Sequence, residues 1–275
     1  MEKIKNGFTH GGIFHADDVF SAALLTYLYP DIKITRGFVV PEDFDGIVFD
    51  IGLGEFDHHQ VDRRVRENEV PFAAFGLLWE KFGKEILGEE DAQNFDEGFI
   101  QQLDNADNTG EKNILSGIIA NFNPTWNSTK TSDEAFDEAK KFALDILCRK
   151  FEYIKSNQEA QKIITGFIEK SDDFYVQMPY YVPWKKAILQ TDKTFVIYPS
   201  KRGGFNAQAV PIDKDTSDLR CPFPESWRGK SQEEIFSESG INGISFCHNS
   251  GFLISTDSVE TAVEACKKAL EQNNK

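Results

Sequence analysis

Asp50-Ile51-Gly52-Leu53-Gly54-Glu55-Phe56-Asp57-His58-His59 is the stretch on which the reading of this chain turns. Ile47-Val48-Phe49 runs into it behind Gly46, as a buried strand would, so Asp50 falls where a strand ends. Gly52 and Gly54 break the strand, and Asp57-His58-His59 follow in a loop. Open α/β sheets present ligands at the carboxyl edge of their strands in this way. Thr9-His10-Gly11-Gly12-Ile13-Phe14-His15-Ala16-Asp17-Asp18 repeats the arrangement, after a candidate strand at residues 4–9 and before a helix. The chain has five histidines, and four of them (His10, His15, His58, His59) lie in these two strings. Imidazole and carboxylate together make mixed sites for Mn, Fe, Zn or Mg. Either string alone reads as a cap or a turn; the pair, each at a strand-to-loop junction, reads as a metal site.

Outward from this point, Asp17 or Asp18 opens a helix that Pro30 ends, and residues 32–40 and 47–50 read as further strands. This strand-helix-strand-strand opening predicts an α/β fold with a mainly parallel sheet flanked by helices. Residues 60–70 form a polar loop with Arg63, Arg64 and Arg66, equally suited to solvent or to a substrate phosphate. Residues 72–82 read as a buried helix in which Gly76 permits close packing. A helical stretch over 89–105 leads into Asp104-Asn105-Ala106-Asp107, and the two aspartates share a helix face. With a carboxylate-poor metal site already in view, Asp107 is the expected ligand, with Asp104 beside it. Residues 121–127 form a loop with aromatic anchors, and helices are expected over 132–155 and 158–169. The composition changes at Phe174, which places a boundary near residue 170 between domains 1–170 and 171–275. In the second, strands are expected over 187–190, 195–198, 205–210, 244–248 and 252–256, and a last helix over 259–270.

Three strings there have substrate chemistry. Arg202-Gly203-Gly204 pairs a cation with a glycine turn, Trp227-Arg228 sits in a proline-set loop, and His248 precedes Gly251 on another turn. Arginine suits bidentate phosphate contact and tryptophan suits base stacking.

Composition narrows the class. The chain is 275 residues with 45 acidic and 30 basic side chains, a formal charge of −15. That argues against nonspecific duplex binding, though bound cations invert the field of an acidic pocket. Four separated cysteines with no C-x-x-C read as reduced thiols, and the opening residues lack a signal-peptide core, so a cytoplasmic protein with no membrane partner is expected.

His10-x4-His15-x-Asp17-Asp18, Asp50, Asp57-His58-His59 and Asp107 resemble the four motifs of the DHH phosphoesterase superfamily. T-H-G-G-x-F-H-A-D-D-V-F, F-D-H-H-Q, D-x-x-D-N, P-x-P-E-x-W-R-G and H-x-S-G-F resemble more closely its melanocyte-proliferating-gene (MYG) branch. The resemblance implies a DHH-type N-terminal lobe that holds metal and a smaller α/β C-terminal lobe that binds substrate. It implies a divalent-metal phosphodiesterase with two ions, acting 3′→5′ on RNA or short oligonucleotides. Carried over, His10 and His15 hold one ion, Asp50 bridges, and Asp17, His58 and Asp107 hold the other. His59 faces the scissile phosphate, Asp57 orients His58, and Asp18 stays with the catalytic group. The superfamily's H-x3-D-x-D is here H-x4-H-x-D, so His15 replaces a carboxylate, which favours Mn²⁺ over Mg²⁺. Leu253-Ile254-Ser255 stands where the family places a glycine pair. The competing readings are a small-molecule phosphoesterase or pyrophosphatase, and a structural metal or nucleotide-binding module. A homo-oligomer is compatible with all three.

Overall fold

The computed structural model describes residues 4–171 and 173–273, and the chain divides into two compact units, Met1–Lys155 and Ser156–Lys275. In the first, β1 (Asn6–His10) lies between β2 (Lys33–Gly37) and β3 (Ile47–Val48), all parallel. Parallel neighbours require a crossover, which α1 (Ala16–Leu28) supplies. The sequence of α1 suits that place: Ala16 to Leu25 are all buried, with small alanines between larger side chains. The register pairs His10 with Gly37, so His10 emerges at the carboxyl edge of the sheet. β3 stops short of its expected end. Asp50 takes φ +54°, and its N–H turns back to the Phe56 carbonyl at 2.9 Å.

Helices α2 (Ala74–Leu87), α3 (Glu89–Phe95) and α4 (Gln101–Thr109) follow. A π turn, Asp96–Ile100, joins α3 to α4, so the expected single helix carries a bulge. A short α5 (Ile114–Ala120), capped by the Asn113 side chain on Ser116 N–H at 3.0 Å, was not anticipated. α6 (Ser132–Ile168) is one helix of 37 residues where two were expected. Polar Ser156-Asn157 looked like a break, but no proline or glycine interrupts the run before Gly166. A phenylalanine-rich core fills this unit: Phe14, Phe20, Phe49, Phe75, Phe136 and Phe151, with Trp79 stacked on Phe151 at 5.6 Å.

The second unit begins inside α6, where Ala160 and Ile164 already pack into its core. Its sheet runs β4 (Tyr175–Gln177), β5 (Phe195–Pro199), β6 (Phe205–Ala209), β8 (Leu253–Thr256), β7 (Ile244–Cys247). Only β4–β5 is parallel; the other pairs are antiparallel. Phe195 and Ile197 enter one core cluster and Val196 and Tyr198 another, as alternation on a doubly covered strand requires. The strand expected over 187–190 is instead helix α7 (Lys185–Ile188). Periodicity cannot sort so short an apolar run, and Arg220 fixes the outcome by donating to the carbonyls of Leu189, Thr191 and Lys193 at 3.0, 2.6 and 2.6 Å. Helices α8 (Gln232–Ser239) and α9 (Val259–Asn273) complete the unit, α9 running three residues past its expected end. No described helix is long and apolar enough to cross a membrane.

Candidate metal centre

Four short segments converge at the carboxyl edge of the three-stranded sheet. β1 ends in His10, the first turn of α1 carries Asp17 and Asp18 behind His15, the turn after β3 carries Asp50, and Asp107 comes from the last turn of α4. The loop 57–59 closes the set. His10 Nε2 lies 3.1 Å from Asp18 Oδ2 and 3.2 Å from Asp50 Oδ2. His58 Nε2 lies 3.1 Å from Asp50 Oδ1, 3.4 Å from Asp107 Oδ2 and 3.7 Å from Asp17 Oδ2. His15 Nδ1 is 4.0 Å from Asp107 Oδ1.

Among the described residues three groups could hold an ion: His10-Asp18-Asp50, Asp50-His58-His59 and His15-Asp17-Asp107. Asp50 belongs to two of them. The grouping differs from the one carried over from the family: His15 sits with Asp17 and Asp107 rather than with His10, and Asp18 supplies the oxygen beside His10. The spacing explains this. His10 lies on the strand, whereas His15 caps the helix that bears both aspartates, and Asp18 Oδ1 accepts the His15 N–H at 2.9 Å.

The donor set fits a divalent cation. Asp17 is fully buried, and neither of its oxygens has a hydrogen-bond partner among the described residues. Burial raises its pKa well above the ordinary carboxylate value, and Asp50, Asp107 and Asp18 add repulsion. A carboxylate so placed is costly unless a cation joins it. His10 responds in the opposite sense: hydrogen bonds to Asp18 and then Asp50 raise it to about 10, so an imidazolium occupies the centre of negative charge. Burial also pushes Asp50 up, but His10 and His58 more than offset it and hold the group below its usual range.

Asp57 does not orient His58. Its Oδ1 accepts His59 Nδ1 at 2.7 Å and His59 N–H at 3.1 Å, and its Oδ2 accepts Leu53 N–H at 2.7 Å. The reason is local: an aspartate followed by a tight turn bonds its own backbone two residues on. Asp57 thus organises the 53–59 turn and fixes the half-exposed His59 ring.

Asp104 is not brought into the cluster. Its oxygens accept Arg66 Nη2 at 2.8 Å and Gly76 N–H at 3.2 Å. Residues three apart on a helix still differ by about 60° in direction, enough to send Asp104 and Asp107 to different partners. Arg66 also grips Asp96, in the π turn, at 2.8 and 2.6 Å and lies over Phe72 at 3.9 Å. It therefore belongs to the scaffold rather than to a phosphate. A Cβ on Gly76 would stand 1.9 Å from Asp104 Oδ2 and 2.5 Å from Arg66 Nη2. Gly76→Ala is expected to lower the urea midpoint by the equivalent of about 1–3 kcal/mol despite alanine's better helix propensity. A midpoint at or above that of the parent would refute this account of the glycine.

In the second unit, two loops come together through Phe223 N–H to Gly251 C=O at 2.8 Å and Gly229 N–H to Cys247 C=O at 3.0 Å. They bring Arg228, His248 and Gly251 together; Gly251 holds φ +72° with the Arg228 side chain against it. Arg228 Nε donates to Phe223 C=O at 2.9 Å. His248 Nδ1 accepts Ser250 N–H at 3.1 Å, which leaves Nε2 as the protonated nitrogen of the neutral ring. Trp227 is wholly buried, so it packs the core and offers no face to a base as expected from sequence. Arg202-Gly203-Gly204 form the β5–β6 hairpin turn, closed by Ser200 N–H to Gly204 C=O at 2.9 Å, with both glycines at positive φ. Trp126, expected as an anchor, is 97% exposed.

The sequence profile of the MYG1 exonuclease family, described as "Uncharacterised protein family (UPF0160)", matches residues 7–270. Relatives of similar length include the MYG1 protein of Dictyostelium discoideum, 27% identical over 97% of each chain. The Saccharomyces cerevisiae MYG1 protein YER156C is 27% identical over 95% of this chain and 94% of its own. The human MYG1 exonuclease is 28% identical over 97% of this chain and 86% of its own. No solved structure matches the chain. With nearly its whole length matched and the His/Asp strings gathered into one acidic cluster, the chain belongs to the MYG1 exonuclease family of DHH-like phosphoesterases.

Proposed function

We propose that the chain is a 3′→5′ exoribonuclease that shortens RNA or short oligonucleotides with two divalent cations, Mn²⁺ in preference to Mg²⁺. The observation that carries this reading is the buried, unpartnered Asp17 carboxylate among Asp18, Asp50, Asp107 and two imidazoles. The exonuclease name of the human relative agrees with it. His10, Asp18 and Asp50 would hold one cation; His15, Asp17 and Asp107, with His58 beside them, would hold the other. Cations here supply Lewis acidity toward a phosphate and a water nucleophile at neutral pH.

The chain's own residues do the rest. Asp57 accepts the His59 Nδ1–H, which leaves the Nε2 lone pair of the neutral ring facing the scissile phosphate, able to accept from a water or hydroxyl there. The 53–59 turn, locked by Asp57, keeps that nitrogen in place through turnover. His10 must give up its proton for a cation to enter, so binding releases protons. The C-terminal unit grips the substrate, with Arg228 and the Nε2–H of His248 as phosphate donors.

A 5′-labelled short RNA tests this with Mn²⁺, Mg²⁺ or EDTA, for the parent and Asp57→Ala/His58→Ala. The expected result is a ladder shortening from the 3′ end, lost with EDTA and in the double variant. Intact RNA alongside measurable Mn²⁺ binding would move the assignment to small phosphate esters or pyrophosphate, a reading favoured by the −15 charge.

A further inference from the structure

The loop joining β1 to α1 has an imidazole at each end, and side chains from outside the loop hold it. Asn123 straddles Phe14: its Oδ1 accepts the Phe14 N–H at 3.1 Å and its Nδ2 donates to the Phe14 C=O at 2.9 Å. The same Nδ2 donates to the Ala120 C=O at 3.2 Å, which ties the bridge to the end of α5. Two residues back, the Gly12 C=O accepts from Arg36 Nη2 at 2.9 Å and from the Ser132 hydroxyl. The Arg36 guanidinium is itself buried, 4.4 Å over Phe136.

The two imidazoles depend on this bracing to different degrees. His10 is the last residue of β1, and Gly11 N–H still bonds the Gly37 C=O at 2.7 Å, so the sheet sets its position. His15 lies beyond the sheet, and its side chain is 59% exposed. The ring meets only the His10 ring, at 6.1 Å between centroids, and Asp107 at 4.0 Å among the described residues, so its placement depends strongly on the backbone. Asn123 fixes that backbone at the preceding residue. Phe14 is fully buried and His15 N–H is already capped by Asp18, so the chain path has other support. What Asn123 adds is rigidity between Phe14 and the His15 imidazole.

Resting on the two-cation reading above, we propose that Asn123 is a positioning residue for the cation held by His15, Asp17 and Asp107. It presets His15 without touching the ion. Outer hydrogen-bond partners of metal ligands typically set affinity by ~10–100-fold. The X-Pro bond after Asn123 supports the role, because Pro124 narrows the backbone freedom of the residue that carries this amide.

The test is Mn²⁺ titration calorimetry on the full chain, parent against Asn123→Ala, Asn123→Asp and Ser132→Ala. The parent should show two binding events. Asn123→Ala should weaken one of them ~10–100-fold and leave the other unchanged, with the nuclease rate restored at saturating Mn²⁺. Ser132→Ala, which leaves the Arg36 contact to Gly12 in place, should show a smaller loss in the same event. A purely structural role would lower the melting temperature and weaken both events together. Asn123→Asp keeps the acceptor for Phe14 N–H and loses the donor; it decides the matter if the alanine variant does not fold. Parent-like affinity in both events, in either folded variant, overturns the proposal. A parent that binds no Mn²⁺ overturns the metal-centre reading instead, a separate and recognisable result.

Discussion

Asp17→Asn is expected to abolish tight divalent-cation binding and, at the same time, to stabilise the cation-free protein. Both effects come from one carboxylate on the first turn of α1, fully buried and without a donor. Its folded-state pKa stands well above the ordinary carboxylate range, first from burial and then from Asp50, Asp107 and Asp18. A raised carboxylate pKa means the folded state holds its proton longer than the unfolded chain. Stability from this group is therefore complete below the unfolded pKa and is lost as pH rises through the folded one. Asparagine removes that loss. At pH 7.5 the cation-free variant should gain about 1–2 kcal/mol, or ~2–4 °C per kcal/mol in the melting temperature of the N-terminal unit.

With Mn²⁺ the order inverts. A cation at ~100 times its dissociation constant adds about 2.7 kcal/mol to the parent and little to the variant. RNA cleavage at low Mn²⁺ should fall more than ~100-fold, beyond the cost of losing an outer partner. Calorimetric melts with EDTA and with Mn²⁺ check both halves. A variant that melts lower than the parent in EDTA, yet shifts as much with Mn²⁺, would mean that Asp17 is structural.

The site was more legible in the sequence than the frame around it, for a physical reason. Ligands need particular atoms, so His10, His15, Asp17, Asp18, Asp50, His58 and Asp107 announce themselves by residue type and by place at strand ends. All seven fall in the groups that gather at the sheet edge. Their pairing was not legible, because it depends on which side of a cap or turn each ring leaves. Asp57 was assigned to His58 and serves His59 instead. Trp227 had the right chemistry for stacking, but a one-turn helix between two packed loops buries it. The bracing roles of Asn123, Arg36 and Arg66 went unrecognised because their partners are backbone groups, or carboxylates about 30 or more residues away, and single-chain periodicity says nothing of those. The fold followed the same division. The β1-α1-β2 opening was plain from alternation and caps, whereas the π turn over Asp96–Ile100 has no local signal and is stabilised by Arg66 and Gln101 on Asp96.

Arg66→Ala is expected to be the most destabilising substitution in the N-terminal unit that touches no candidate ligand. The guanidinium holds Asp96 through two hydrogen bonds, Asp104 through a third, and the Phe72 ring beneath it. Removing it leaves Asp104, wholly buried, with backbone N–H partners at Gly76 and Ala73 but no cation. Breaking a buried pair from one side costs about 3–5 kcal/mol, a large share of a typical 5–15 kcal/mol stability. The pH dependence gives the signature. Burial already raises Asp104 to about 7, with Arg66 opposing the rise. Its neutral form therefore supports the fold below the unfolded pKa near 4, and that support is lost as pH climbs through about 7. Without Arg66 the folded pKa rises further, so the variant should lose more at pH 8 than at pH 5. Asp104→Asn should flatten the slope between pH 4 and 7, and the double variant should fall short of the sum of the singles. Urea unfolding at three pH values measures all of this. A phosphate-gripping Arg66 would behave differently: KM for RNA would rise, while the urea midpoint and its pH dependence would match the parent.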